Sequence, residues 1–275
     1  MKLPQTLGEA LDAAQGHIPR SEARLLLREA SGQSAAAIAA FPERVLDAAA
    51  AERFCDWLMR RAAGEPVAYI LGEREFFGRS FRVGSGVLIP RPDTEVIVEE
   101  ALRRANEWSA PRVLDLGTGS GAIAISLALE CPAACVTAVD ASEAALRVAR
   151  DNAEALGAKL EFHHGDWFAP VAGQRFEIVA TNPPYVADAD IHLEQGDLRF
   201  EPRSALAAGA DGLDDIRRIV TAAPDYLVER GWLLIEHGFE QGAAVRALLV
   251  ARGFQDAASS RDLAGHERVT FGRWI

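Results

Sequence analysis

Asn182-Pro183-Pro184-Tyr185 places a side-chain amide, two donor-free backbone positions and an aromatic ring in consecutive residues. Each proline fixes φ and removes a backbone N–H, so the turn offers mainly carbonyl oxygens beside the Asn182 side chain. A planar NH2 group finds two acceptors in such a turn. Tyr185 adds a flat face on which an amide or a base can stack. The combination suits a planar nitrogen nucleophile, although Asn and Pro are also ordinary turn residues. The preceding apolar run, Phe176-Glu177-Ile178-Val179-Ala180, reads as a buried parallel strand.

A second feature lies upstream. Val113-Leu114-Asp115-Leu116-Gly117-Thr118-Gly119-Ser120-Gly121 is a hydrophobic strand ending in an acid and a glycine loop, and residues 122–130 then read as a helix. Without Cβ atoms the loop can turn sharply and approach a ligand, and a helix N-terminus offers free N–H groups. Gly117, Gly119 and Ala122 also satisfy the dinucleotide fingerprint. Cys135-Val136-Thr137-Ala138-Val139-Asp140 is a further strand with a terminal carboxylate that can grip two ribose hydroxyls. Asp140 and Ser142 can instead cap the helical pattern that runs to Gly157. The ribose reading suits NAD or S-adenosylmethionine equally, since both carry an adenosine ribose at this place in a doubly wound sheet. The strand at 160–164 leads into Gly165-Asp166-Trp167-Phe168, where an adenine ring can meet an acid and an aromatic edge, Trp167 as plain core being the alternative.

Glycine loop, ribose acid, adenine-edge segment and Asn-Pro-Pro-Tyr fall in order at the ends of successive strands, where open parallel sheets bind ligands. The constellation resembles S-adenosylmethionine-dependent methyltransferases that act on planar amino nitrogens. Across most of its length the chain is similar to the PrmC/HemK family, protein-(glutamine-N5) methyltransferases of peptide chain release factors. The closer likeness rests on Gly64-Glu65-Pro66-Val67-Ala68-Tyr69, Glu75-Phe76-Phe77-Gly78 and Leu88-Ile89-Pro90-Arg91-Pro92-Asp93-Thr94-Glu95. It extends through Arg199-Phe200-Glu201-Pro202-Arg203-Ser204-Ala205-Leu206, Glu236-His237-Gly238 and Glu267-Arg268-Val269-Thr270.

The resemblance implies an α/β fold: a doubly wound, Rossmann-like methyltransferase sheet with a small N-terminal helical bundle joined by a β-hairpin. It implies S-adenosylmethionine as methyl donor, S-adenosylhomocysteine as product and no metal. The cofactor set is then Asp115, Gly117, Thr118, Gly119, Ser120, Gly121, Asp140, Asp166, Trp167 and Asn182. Asn182, Pro183 and Tyr185 become catalytic, with Pro184, Glu201 and Pro202 joining them around the substrate. The partner is a release factor, with no direct nucleic-acid or membrane binding. Three rivals stand beside this reading: an amino-methyltransferase acting on a nucleic-acid base (N6-adenine type), a dehydrogenase, and a catalytically silent binding module. The dehydrogenase leaves the Asn-Pro-Pro-Tyr turn without a role.

Composition bears on these choices. Net charge is −11, with 29 Lys and Arg against 40 Asp and Glu, which disfavours broad capture of nucleic acid. Lys2 and Lys159 are the only lysines and neither falls in a motif, so Schiff-base chemistry has no evident nucleophile. Cys55, Cys131 and Cys135 are too few for a disulfide framework and read as free buried thiols. His163 and His164, adjacent on a strand, point to opposite faces and make a poor metal pair. His237 follows a strand at 232–236 and reads as a packing or hydrogen-bonding residue. The absence of a long apolar run and of an apolar leader predicts a cytoplasmic enzyme.

The elements that must position these groups follow from periodicity. Helices are expected at 7–14, 21–30, 34–39 and 47–63, with a last turn after Pro66. Alternation over 76–89 around Gly84-Ser85-Gly86 predicts a hairpin, and Asp93 or Thr94 should cap a helix to 106. The expected domains are a substrate-recognition bundle at 1–74, a hairpin linker at 75–90 and a catalytic domain at 91–275. The stretch from 185 to 211 shows no sustained period, and so long a connection is expected to wall the substrate cleft with Glu201, Pro202 and Arg203.

Overall fold

The computed structural model of the chain describes residues 3–275, which form two compact units, one up to Glu73 and one from Arg74. The first unit is helical: α1 Leu7–Ala14, α2 Arg20–Ser31, α3 Ala35–Ala40, α4 Ala48–Ala62 and α5 Val67–Leu71. Thr6, Ser34 and Asp47 each accept a backbone N–H in the first turn of α1, α3 and α4, which satisfies donors those helices cannot pair internally. Gly32 and Gly72 end α2 and α5 in the left-handed conformation. One apolar stripe from each helix meets in a core that includes Leu7, Leu26, Leu27, Ile38, Phe54 and Leu58.

The second unit opens with a hairpin of β1 Glu73–Phe76 and β2 Arg79–Arg82. Its turn is Phe77-Gly78, not the expected Gly84-Ser85-Gly86. Phe77 and Gly78 have φ of 50° and 72°, the pair of positive values that a two-residue hairpin turn needs to match strand twist. A phenylalanine holds that conformation because the Glu95 carboxylate accepts its N–H at 2.8 Å. Residues 84–87 make a turn of their own, closed by Val87 N–H to the Gly84 carbonyl, without strand pairing.

After α6 (Glu95–Ala105) the chain alternates β3 Arg112–Leu116, α7 Ala122–Glu130, β4 Cys135–Asp140, α8 Glu143–Leu156, β5 Glu161–His164 and β6 Phe176–Thr181. Then come α9 Asp214–Ala222, β7 Leu227–Glu236, α10 Gly242–Arg252, β8 Gln255–Arg261 and β9 Glu267–Arg273. The sheet order is β5-β4-β3-β6-β7-β9-β8. The first five strands are parallel, and β9 pairs antiparallel with both β7 and β8. Side chains alternate between two cores: Val113 and Ile178 pack with α6 and α7 on one face. Leu114, Leu116 and Val179 pack with α9 and α10 on the other.

From β3 the chain winds outward through β4 and β5, then returns to pair β6 against the other edge of β3. The order therefore reverses between β3 and β6, and a crevice opens at their carboxyl ends. Leu116 and Thr181 are register partners there, and the Thr181 hydroxyl donates to the Leu116 carbonyl at 2.8 Å. Gly117 and Asn182 are the next residues on each strand. Two motifs 65 residues apart thus leave the sheet side by side.

Candidate functional site

The glycine loop is fixed by backbone bonds on one side and by Asp140 on the other. Gly117 and Thr118 N–H groups donate to the Val139 carbonyl at 2.9 and 3.0 Å. Asp140 Oδ2 accepts from Gly119 N–H, and its Oδ1 from Ser142 N–H, both at 2.8 Å. Burial pushes the Asp140 carboxyl upward while the Gly119 N–H opposes it. Gly117, Gly119 and Gly121 all have positive φ, at 72°, 57° and 84°. A Cβ at Gly117 would meet the Trp167 ring at 3.4 Å, so that glycine keeps a cradle open beside the indole.

Asp115 lies beneath the loop with no exposure. Its Oδ2 accepts the Thr118 hydroxyl at 2.7 Å, and Oδ1 has no side-chain or loop partner. Burial raises this carboxyl from 3.8 to about 7.

Across the crevice, the Asn182 side-chain NH2 donates to the Thr94 hydroxyl at 3.3 Å. That bond turns the amide so that its carbonyl is the end left to accept. Of the two expected caps of α6, Asp93 and Thr94, Thr94 takes the N-cap position, but its hydroxyl makes no capping bond and accepts from Asn182 instead. The Tyr185 hydroxyl donates to Glu236 Oε1 at 3.3 Å. Burial, reinforced by the neighbouring carboxylate, pushes the phenol far above its ordinary range. Glu236 is 1% exposed and is raised from 4.5 to about 7 by burial, against the Thr94 hydroxyl, the Arg268 guanidinium and the Tyr185 hydroxyl. The Tyr185 carbonyl accepts the Gln241 side-chain NH2 at 3.0 Å, which fixes the turn from behind.

A cavity of about 440 Å³ lies between these groups. Gly117, Gly119, Asp140, Asp166, Trp167, Asn182, Pro184 and Pro202 line it, drawn from the glycine loop, the end of β4, the 165–168 segment, the Asn-Pro-Pro-Tyr turn and the long connection after it. Val87, Leu88, Ala205 and Arg218 complete much of the wall. Trp167 is half-buried with φ of 46°, and it both lines the cavity and packs against the core beneath. Asp166 is exposed and paired with Arg218 at 2.5 Å on the rim.

Glu201, expected among the substrate contacts, is turned elsewhere. Its carboxylate is fully buried, ion-paired with Arg91 and accepting the Ile89 N–H at 3.0 Å. It ties the long connection to the 89–91 segment, while Pro202 beside it faces the cavity. Three short 3-10 turns and a bridge between Val186 and Ala207 order the rest of that connection. Arg203 pairs with Glu194 at 3.2 Å. Thr118, Ser120 and Gly121 shape the loop, and Pro183 and Tyr185 shape the turn, without forming the cavity's main walls.

Thr94, Glu236, Gln241 and Arg218 carry positions that motif reading did not assign. Thr94 and Glu236 sit inside two of the segments that carried the family likeness, which is a signal of a kind. Nothing local marks Gln241 or Arg218. His237 is fully buried, between the Gly238 carbonyl and the Thr270 hydroxyl, at 2.8 and 2.7 Å, in keeping with a packing and hydrogen-bonding role. Cys55 is buried, Cys131 half-buried and Cys135 exposed at the start of β4, so burial of all three thiols does not hold. Among the described residues no three His, Cys, Asp or Glu side chains cluster as metal ligands would. No helix among them is long and apolar enough to cross a membrane.

The arrangement can do two things at once. One wall offers a carboxylate and an indole to an adenosine-bearing molecule, and the facing wall offers an oriented amide carbonyl to an NH2 group.

Comparison with known proteins agrees with both halves of the chain. A family model described as the Methyltransferase small domain matches residues 93–198, and one described as the PrmC N-terminal domain matches residues 5–72. The chain is 51% identical to a release factor glutamine methyltransferase of Pseudomonas aeruginosa over 93% of its own length and 92% of the relative's. It is 49% identical to the protein of that description from Bordetella pertussis, covering 93% and 95%. Among solved structures, a methyltransferase from Pyrococcus furiosus shares the fold at TM-score 0.54, with 15% identity over 80% of this chain and 99% of that one.

Proposed function

The chain belongs to the release factor glutamine methyltransferase family, and from that membership we propose that it methylates the glutamine side-chain nitrogen (N5) in the Gly-Gly-Gln motif of peptide chain release factors. The observation that supports this most directly is the Asn182 amide, oriented by Thr94 and set across one crevice from the glycine loop. S-adenosylmethionine, when bound, supplies an activated methyl group on a sulfonium.

The glycine loop, Asp140 and Trp167 fit that cofactor. Gly119 leaves open space where a Cβ would stand, Asp140 presents acceptors to ribose hydroxyls, and the Trp167 ring flanks the cradle. Asp166 and Arg218 stand at its rim. Asn182 Oδ1 and the Pro183 carbonyl accept the two hydrogens of the substrate amide, and Tyr185 stacks on its plane. An amide nitrogen is a poor nucleophile because its lone pair is delocalised. Acceptors on its hydrogens favour the charge that grows on nitrogen in the transition state. Holding that nitrogen in line for attack supplies most of the remaining acceleration. Its proton becomes strongly acidic only during transfer, so a nearby oxygen or water suffices to take it. No step in this account calls on a metal.

The flanking glycines of the target suit a narrow cleft walled by Pro184, Pro202 and Ala205. The helical unit is assigned to recognition of the factor at a second surface, in the cytoplasm. Methylation of a nucleic-acid base is the competing use of an Asn-Pro-Pro-Tyr turn, and the net charge of −11 weighs against it. Transfer of labelled methyl to a purified release factor, to DNA and ribosomes, and to a factor whose target glutamine is replaced by alanine decides the matter. The expected result is a single methyl on that glutamine by mass spectrometry and no methylated adenine. Methylated DNA with an untouched factor overturns the proposal.

A further inference from the structure

Glu236 ends β7 beneath the Asn-Pro-Pro-Tyr turn, outside the cavity wall, with its side chain wholly enclosed. One oxygen accepts the Tyr185 hydroxyl at 3.3 Å. The other is buried without a hydrogen-bond partner within bonding distance, and the Thr94 hydroxyl faces the same carboxylate. Packing alone avoids such a group. An aliphatic side chain of similar volume fills the space without the desolvation penalty of a carboxyl whose acceptors are incompletely met.

What the carboxyl contributes is direction. A threonine hydroxyl has one hydrogen and can donate it to only one acceptor at a time. When that hydrogen is drawn toward Glu236, the lone pairs of Thr94 Oγ1 are left to accept the Asn182 NH2, as observed at 3.3 Å. Asn182 is then held with its carbonyl forward. A hydroxyl free to rotate could equally donate to Asn182, and the amide would flip and present NH2 to a substrate NH2. The Tyr185 hydroxyl, drawn to the same carboxyl, fixes the ring on the other side of the turn. Arg268 lies near, held by Asp93 at 3.2 Å and Asp262 at 3.0 Å, so cationic charge is available without a direct ion pair to Glu236.

We propose that Glu236 is a positioning residue for methyl transfer, acting through Thr94 and Tyr185 to set which face of the Asn182 amide meets the substrate. This rests on the methyltransferase reading above, and wild-type turnover on a release factor is the control that separates the two. Failure of the wild type to methylate the factor overturns that reading, whereas normal turnover in the variants overturns only this inference.

The experiment compares Glu236→Gln, Thr94→Val, Thr94→Ser and the double variant Glu236→Gln/Thr94→Val. Single-turnover methyl transfer, KM for the release factor and calorimetric affinity for S-adenosylhomocysteine are measured on each. Glu236→Gln and Thr94→Val are expected to lose about tenfold or more in turnover, while KM and cofactor affinity stay within about threefold. Thr94→Ser, which restores the hydroxyl, recovers turnover. The double variant is no slower than Glu236→Gln alone, because both changes act on one chain of neighbouring polar groups that ends at Asn182. A Glu236→Gln enzyme with wild-type turnover, or losses that multiply in the double variant, overturns the proposal. Parallel loss of cofactor affinity does so as well. If Glu236→Gln does not fold, the Thr94→Val and Thr94→Ser pair decides, and wild-type turnover in Thr94→Val is the refuting result.

Discussion

Replacing Asp140 by alanine tests the cofactor wall at its most exposed point of argument. Each carboxylate oxygen already takes one backbone N–H at 2.8 Å, from Gly119 and from Ser142. Each retains acceptor capacity for one ribose hydroxyl. Hydrogen bonds to a charged group are worth on the order of 1.5–3 kcal/mol net. Asp140 is half-buried, so water re-enters the truncated site and limits the total to about that range rather than twice it. Affinity for S-adenosylhomocysteine should therefore fall about 10- to 150-fold. Calorimetry measures it, and a cooperative thermal melt checks that the variant is folded. Asp166→Ala is the internal comparison: its carboxylate is 63% exposed and spent on Arg218. Truncating it should cost less than about 1 kcal/mol, as for exposed ion pairs. Affinity within twofold of wild type in a folded Asp140→Ala protein would remove that residue from the site. Equal losses at Asp140 and Asp166 would show that burial does not rank the two as argued.

Asn182→Ala should reduce methyl transfer by roughly a hundredfold or more, the scale of a lost transition-state acceptor, with cofactor affinity nearly retained. Near-normal single-turnover rates would refute its role. Asp115 is raised from 3.8 to about 7 in the fold, so its contribution to stability is full below about pH 4 and lost as pH rises through about 7. The unfolding free energy of wild type minus Asp115→Asn should therefore turn against wild type between those limits, by on the order of a few kcal/mol. Urea titrations at pH 5 and pH 8 measure this, and an identical difference at both contradicts it. Gly212 has φ of 72°, and a Cβ there would lie 2.2 Å from the Tyr185 carbonyl oxygen. Gly212→Ala should lower stability by about 1–3 kcal/mol and slow turnover by displacing the turn. A melt and rate both matching wild type would exclude that coupling.

The sequence by itself determined what depends on neighbours in the chain. Apolar runs located β3, β4 and β6, because strands buried on both faces need continuous apolar side chains. The glycines at 117, 119 and 121 were legible as a loop because only a residue without Cβ takes their positive φ at little cost. The prolines at 183 and 184 announced a turn of acceptors for the same kind of local reason. Local pattern misplaced the hairpin turn. The glycines at 84 and 86 suit a turn, but the hairpin turns at Phe77, whose N–H is held by Glu95 from 18 residues away.

Tertiary structure decided which groups face the cavity. Asn182 meets Thr94 across 88 residues, Tyr185 meets Glu236 across 51, and Glu201 is drawn off to Ile89 across 112. Residue type told that each could hydrogen-bond, and no local rule told with what. A side chain's orientation is set by the partner that best satisfies it once water is excluded, and that partner is known only when the strands are in register.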